Sequence, residues 1–79
     1  MTPERFKQCL DALGYGARAF GAIIDRDSRW MRRWLMGHPI PADFAGWLED
    51  AVAHRPRDMA RYVEQHPPPE WRRPEGTNE

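Results

Sequence analysis

Three arginines, Arg29, Arg32 and Arg33, lie directly after Asp27 and Ser28. Arginine carries a planar fork of N–H donors that binds phosphate, or the O6 and N7 acceptors of guanine, two bonds at a time. On a helix, residues 29, 32 and 33 are neighbours at i, i+3 and i+4 and share a face. Three like charges on one face repel one another and do nothing for the isolated chain, whereas a polyanion reverses that cost. A helix fits the major groove of B-form DNA, and the residues at its N-terminal end reach base edges. The spacing thus places Ser28, Arg29 and Arg33 at base edges, and Arg32 at a base or a phosphate. A solvated charged face is the competing reading of the same run.

Other residue types that do chemistry are present without the spacing that chemistry needs. Asp25 and Asp27 have no third metal ligand close in sequence, and turn and cap roles account for both. His38, His54 and His66 stand 16 and 12 residues apart and Cys9 is the single cysteine, which is no zinc pattern. Glu49 and Asp50 are adjacent on a helix and point in different directions, so they do not form an acid–base pair. Glycine-rich phosphate loops and nucleophile elbows are missing. The expectation is a chain with no catalytic residues, no metal and no cofactor.

With 79 residues the chain supplies one small domain. The 12 basic and 12 acidic residues cancel, which excludes coating of nucleic acid by bulk charge. The cancellation hides an asymmetry: residues 1–40 carry +3 and residues 41–79 carry −3. Eleven of the 12 basic residues are arginine, a count that GC-rich coding also favours. Apolar residues make up 41%, including four Trp and three Phe, enough for a packed but marginal core that dimerisation would help. The N-terminal MTPERFKQCLDALG has charges inside its apolar positions and does not read as a signal peptide. No apolar run approaches the roughly 20 residues that span a bilayer. A cytoplasmic location is expected.

The elements that must position the arginines read as short helices and no strands. Thr2 caps a first helix with Pro3 at its first position, Phe6, Leu10 and Leu13 recur at helical spacing beside Cys9, and Gly14 ends it. Gly16 opens a second helix, about Ala17 to Ile24, with Phe20, Ile23 and Ile24 as its stripe. Asp25 and Arg26 turn the chain. Asp27 caps a third helix, Ser28 to Met36, with Met31, Trp34 and Leu35 inward and Gly37 as its stop. The connection His38-Pro39-Ile40-Pro41 is rigid. A fourth helix starts near Pro41, carries the stripe Phe44, Trp47, Leu48, Ala51, Val52, and breaks at Arg55-Pro56. A fifth covers Arg57 to Gln65 with Met59, Tyr62 and Val63 on one side. From His66 onward the chain reads as an extended Pro-rich tail containing Trp71. The reading is an all-α, compact domain of four to five helices over residues 1–65, with a tail over 66–79.

Two helices of about nine residues joined by a short turn and flanked by helices form a helix-turn-helix. The segment LGYGARAFGAIIDRDSRWMRRWLMG, residues 13–37, resembles the helix-turn-helix of the lambda-repressor/Cro-type (XRE-like) DNA-binding family. It is most similar to small bacterial and phage members whose recognition helix carries RRW-L-x-G before a proline connection. The resemblance extends more loosely over residues 2–54. Gly21 matches the small residue that lets the two helices cross closely, and Phe20, Ile24, Met31 and Trp34 match buried positions. Asp25 stands where the family usually has glycine, Arg26 where it has an apolar residue, and Ala17 where it often has a phosphate-binding glutamine.

The resemblance implies a lambda-repressor-like fold with Arg18 near backbone phosphate. The N–H groups opening the second and third helices are also available to phosphate. Trp30 lies between the buried and exposed faces, either packing beneath the fourth helix or reaching a thymine methyl or the sugar edge. The phosphate-side set is thus Arg18, Asp27 and Trp30. The family implies a homodimer on an inverted-repeat operator in double-stranded DNA, paired through elements after the fourth helix. It also implies a transcriptional repressor of phage, toxin–antitoxin or anti-CRISPR operons, often of its own gene. The alternative is a protein-interaction module or antitoxin that binds a protein partner through the same scaffold and the C-terminal tail around Trp71.

Overall fold

Helices this short do not stand alone in water, so each needs a cap and a neighbour. A computed structural model describes residues 1–69 and shows five helices in an all-α arrangement. Helix α1 spans Pro3–Leu13, α2 Ala17–Ile23, α3 Ser28–Leu35, α4 Ala42–His54 and α5 Met59–Gln65. Thr2 Oγ1 accepts the Arg5 N–H at 3.0 Å at the start of α1. Gly14 closes that helix with φ 85°, its N–H reaching Asp11 while that of Tyr15 reaches Leu10. Gly37 does the same for α3 with φ 108°: its N–H donates to Trp34 O and that of His38 to Arg33 O. No helix among the described residues is long and apolar enough to cross a membrane.

Three boundaries depart from the sequence expectation, each for a local reason. Helix α2 stops at Ile23, because the chain must already turn at Ile24 and Asp25. Asp25 adopts φ 57°, the left-handed region that short polar side chains tolerate. Helix α3 ends at Leu35, with Met36 as its cap. Helix α5 begins at Met59 rather than Arg57, because the Asp58 carboxylate accepts the Arg61 N–H and makes Asp58 the cap. The Arg55-Pro56 break is sharper than its letters suggest, since Arg55 itself takes φ 48°.

One core holds the helices together. Phe6, Cys9 and Leu10 of α1, Phe20 of α2 and Ile24 at its cap, Met31 and Trp34 of α3, Phe44, Leu48 and Ala51 of α4, and Met59 and Tyr62 of α5 are all buried. Trp34 sits among them 1% exposed, edge-on to Phe6 (5.6 Å between centroids, 90°) and 5.0 Å from Phe44. Trp47 continues the aromatic chain from Phe44 to Tyr62, at 5.6 and 6.2 Å. The chain after α5 stays on this surface. Trp47 Nε1 donates to His66 O at 2.7 Å, the His66 ring lies 4.8 Å from Tyr62, and Pro68 is buried. Trp71 lies outside the described residues. Burial pushes the Cys9 thiol up, which suits a core residue rather than a reactive one.

Helices α1 and α4 are also tied by charge. The Arg5 Nε donates to Glu49 Oε2 at 2.8 Å, and Nη2 reaches Oε1. The Arg5 guanidinium holds the Glu49 carboxyl below its ordinary value. The pair therefore stabilises the fold above the pH where an unfolded carboxyl ionises, about 4.3, and loses that contribution as pH falls through the lower folded value.

The α2–α3 crossing depends on Gly21. A Cβ placed there would lie 3.0 Å from the Arg26 carbonyl oxygen and 3.2 Å from Ser28 Cα, both backbone atoms that yield only if the turn moves. Nothing lies within 4 Å of the same position on Gly46 in α4.

Gly21→Ala should therefore destabilise the domain by about 1–3 kcal/mol. Gly46→Ala should instead stabilise it by about 0.5–1 kcal/mol, through the lower backbone entropy of alanine. Thermal melts of the two variants beside the wild type check the opposite signs; equal shifts would rule out the close crossing. For the ion pair, Glu49→Gln should lower the urea midpoint at pH 7, and the difference should shrink as pH falls below about 4 toward the lowered folded value, where the wild-type carboxyl takes up its proton. A difference that persists unchanged at pH 3 would show that the pair contributes nothing through charge.

Candidate nucleic-acid interface

The outward face of α3 is fixed by its inward one. Met31 and Trp34 are buried three residues apart, so the helical period turns Arg29, Arg32 and Arg33 away from the core, and all three are exposed. Helices α2 and α3 pack against each other through the close approach at Gly21, with Ser28 half-buried at that crossing. The turn is braced from within, as Arg26 Nη1 donates to the carbonyl oxygens of Ile24 and Asp25, each at 3.3 Å. Those bonds explain how an arginine occupies a half-buried turn position where an apolar residue was expected: its head satisfies turn carbonyls.

The arginines differ in what holds them. Arg29 donates from Nε (2.9 Å) and Nη2 (2.7 Å) to Oδ2 of Asp27, whose Oδ1 accepts the Arg29 backbone N–H at 2.9 Å. The neighbouring carboxylate pushes the Arg29 pKa further up, so it is a fixed cation. Arg33 stacks over the Trp30 ring, with Cζ 5.2 Å from the centroid. Arg32 is exposed, with no hydrogen bond or ion pair among the described residues, and the same holds for Arg18 in the first turn of α2. The structure thus joins Asp27 to Arg29 and Trp30 to Arg33. It leaves Arg18 and Arg32 unattached among the described residues.

Two of the phosphate-side assignments acquire more definite roles. Trp30 is half-buried and packs against the core cluster, offering its remaining ring face to Arg33. Asp27 spends both carboxylate oxygens on the first turn of α3 and on Arg29. Met36, 81% exposed at the end of α3, is a surface feature the sequence reading passed over. It follows two inward residues in the helical period and stands as the cap just before Gly37, where the helix has already stopped.

An open depression of about 460 Å³ lies between the C-terminal ends of α1 and α4, lined by Ala12, Leu13, Val52, Arg55 and Pro56. Its one charged lining residue is Arg55, so it holds no pair of groups that could pass a proton. Among the described residues no three His, Cys, Asp or Glu side chains gather as metal ligands.

Comparison with models of protein families, with curated proteins and with solved structures found no match.

The Trp30–Arg33 stack makes a checkable demand. Trp30→Leu keeps the apolar contact to the core but removes the ring. Nucleic-acid affinity should fall with it if the stack aims Arg33, and by no more than Arg33→Ala costs. A Trp30→Leu protein that is as stable as wild type and binds a duplex equally well would show that the stack aims nothing.

Proposed function

We propose that the chain is a sequence-specific double-stranded DNA-binding protein, a homodimeric transcriptional repressor that inserts α3 in the major groove. The observation that carries the reading is the division of α3: Met31 and Trp34 lock one side into the core while Arg29, Arg32 and Arg33 occupy the other. The helix is the second of a pair that cross closely at Gly21, which is how a helix-turn-helix presents its recognition helix. The likeness of residues 13–37 to the lambda-repressor/Cro-type family points the same way. The same likeness supplies the dimer and the inverted repeat, and with them repression by simple occupation of a promoter.

In this reading Ser28, Arg29 and Arg33 face base edges, and Arg18 and Arg32 carry unpaired charge for the phosphates. Trp30 supports Arg33 from below, and Asp27 supports Arg29. A chain of this kind works in the cytoplasm and needs no cofactor.

Selection of bound duplexes from a random library tests it, with wild type beside an Arg29→Ala/Arg33→Ala double variant. The wild type should enrich an inverted repeat with half-sites about one DNA turn apart, and the double variant should enrich none. On the selected duplex, log K should fall linearly with log salt, and Arg32→Ala should reduce that slope by about 0.9 if it removes one phosphate contact. If the wild type enriches nothing at moderate salt, the DNA reading fails and an acidic protein becomes the partner to seek.

A further inference from the structure

We propose that Arg29 reads guanine and that Asp27 is the positioning residue that makes it do so; this rests on the DNA-binding reading above. A guanidinium has two edges with a parallel pair of N–H donors: Nε with Nη2, and Nη1 with Nη2. Asp27 Oδ2 occupies the first edge, at 2.9 and 2.7 Å. The second edge is left with two parallel donors, and it points away from the carboxylate. Guanine is the base whose major-groove edge offers two adjacent acceptors, O6 and N7, to such a pair. Adenine presents one acceptor and one donor there, and would leave an arginine donor facing an N–H.

The clamp is rigid at its other end. Asp27 Oδ1 is bonded to the Arg29 backbone N–H at 2.9 Å, so the carboxylate bridges the start of α3 and the arginine head. Arg29 is 78% exposed on its side chain, a setting in which an arginine ordinarily samples many rotamers. Residues two apart on a helix do not face each other, so this pair is not the usual helix-surface ion pair. It exists because Asp27 lies outside the helix as its cap. An ion pair this exposed adds little to fold stability. Its effect falls on the arginine, which is ordered before any partner arrives.

The charge of the pair sharpens the choice. With the carboxylate beside it, the Arg29 head attracts phosphate less than Arg32 or Arg18, which have no acid bonded to them among the described residues. What remains attractive to Arg29 is a neutral pair of acceptors at fixed spacing. The unpaired arginines hold the backbone and the clamped one reads the base.

Asp27→Asn tests the assignment. Asparagine retains a capping oxygen, but its amide nitrogen cannot accept from the guanidinium. Asp27→Ser keeps the cap by another route if the asparagine variant folds poorly. Each is compared with wild type on the selected duplex and on the same duplex with each half-site guanine in turn changed to adenine. Wild type should discriminate about tenfold or more at one guanine per half-site. The Asp27 variants should keep the helical circular dichroism, lose most of that discrimination, and bind an unrelated duplex more tightly because a negative charge is gone. A purely structural cap would not raise non-specific affinity while flattening one position. Discrimination retained in Asp27→Asn, or a selected motif whose guanines are all indifferent to adenine, overturns the assignment while leaving the DNA-binding reading standing. A wild type that selects no motif overturns both.

Discussion

The rotation of α3 about its own axis is the constraint on which the rest of the structure depends, and Trp34 sets it. The indole is edge-on to Phe6 and 5.0 Å from Phe44, so a single side chain joins α1, α3 and α4. A helix of eight residues has two turns and few ways to be held. With Trp34 and Met31 both buried, rolling α3 by even a third of a turn would expose one of them and push an arginine into the aromatic core. The cost of stripping water from an unpaired guanidinium far exceeds what any surface contact returns. The exposure of Arg29, Arg32 and Arg33 is thus a consequence of core packing.

The shortness of the helices explains why capping residues carry so much. Helices α2 and α5 have seven residues each and would not persist in isolation. Asp27 and Asp58 each satisfy an N–H that the first turn leaves open, and Gly14 and Gly37 let the chain reverse direction at once. The crossing at Gly21 then lets α2 lie close to α3, where a side chain would hold the pair apart. Asp27 combines two of these functions: it starts α3 and it restrains the arginine that follows.

Much of this was legible from single letters. Thr2-Pro3, Gly14, Gly16, Asp27 and Gly37 mark helix ends within a residue, because cap and stop chemistry is local to one or two positions. The apolar stripes named the core for the same reason: burial follows the helical period. What the letters did not show depends on where side chains meet in space. Arg26 reaching back to the Ile24 and Asp25 carbonyls replaces an apolar turn residue by a different solution, which no periodicity encodes. The Asp27–Arg29 clamp spans a cap and a helix, so helix-face spacing rules pass over it. The Trp30–Arg33 stack obeys i, i+3 spacing, but spacing alone does not say which of a half-buried indole's neighbours meets its open face. His66 and Pro68 looked like tail because prolines break periodicity. The indole N–H of Trp47, which needs an acceptor, is what draws that segment back.

The distribution of charge follows the division between scaffold and exposed helix. Within the basic N-terminal half, Arg5 is bonded to Glu49 and Lys7 to Asp11, so α1 uses its cations on the protein itself. Arg26 is turned toward the backbone of the α2–α3 turn. Arg29 shares its charge with Asp27. Among the described residues Arg18, Arg32 and Arg33 remain without a bonded acid, and all three belong to α2 and α3. A chain with no net charge can therefore carry a local positive field on α2 and α3, because the cations of α1 are bonded to acids while Arg18, Arg32 and Arg33 are not, among the described residues. Attraction to a polyanion falls off within about 10 Å at ordinary salt, so what a partner meets is that local field and not the sum over the molecule.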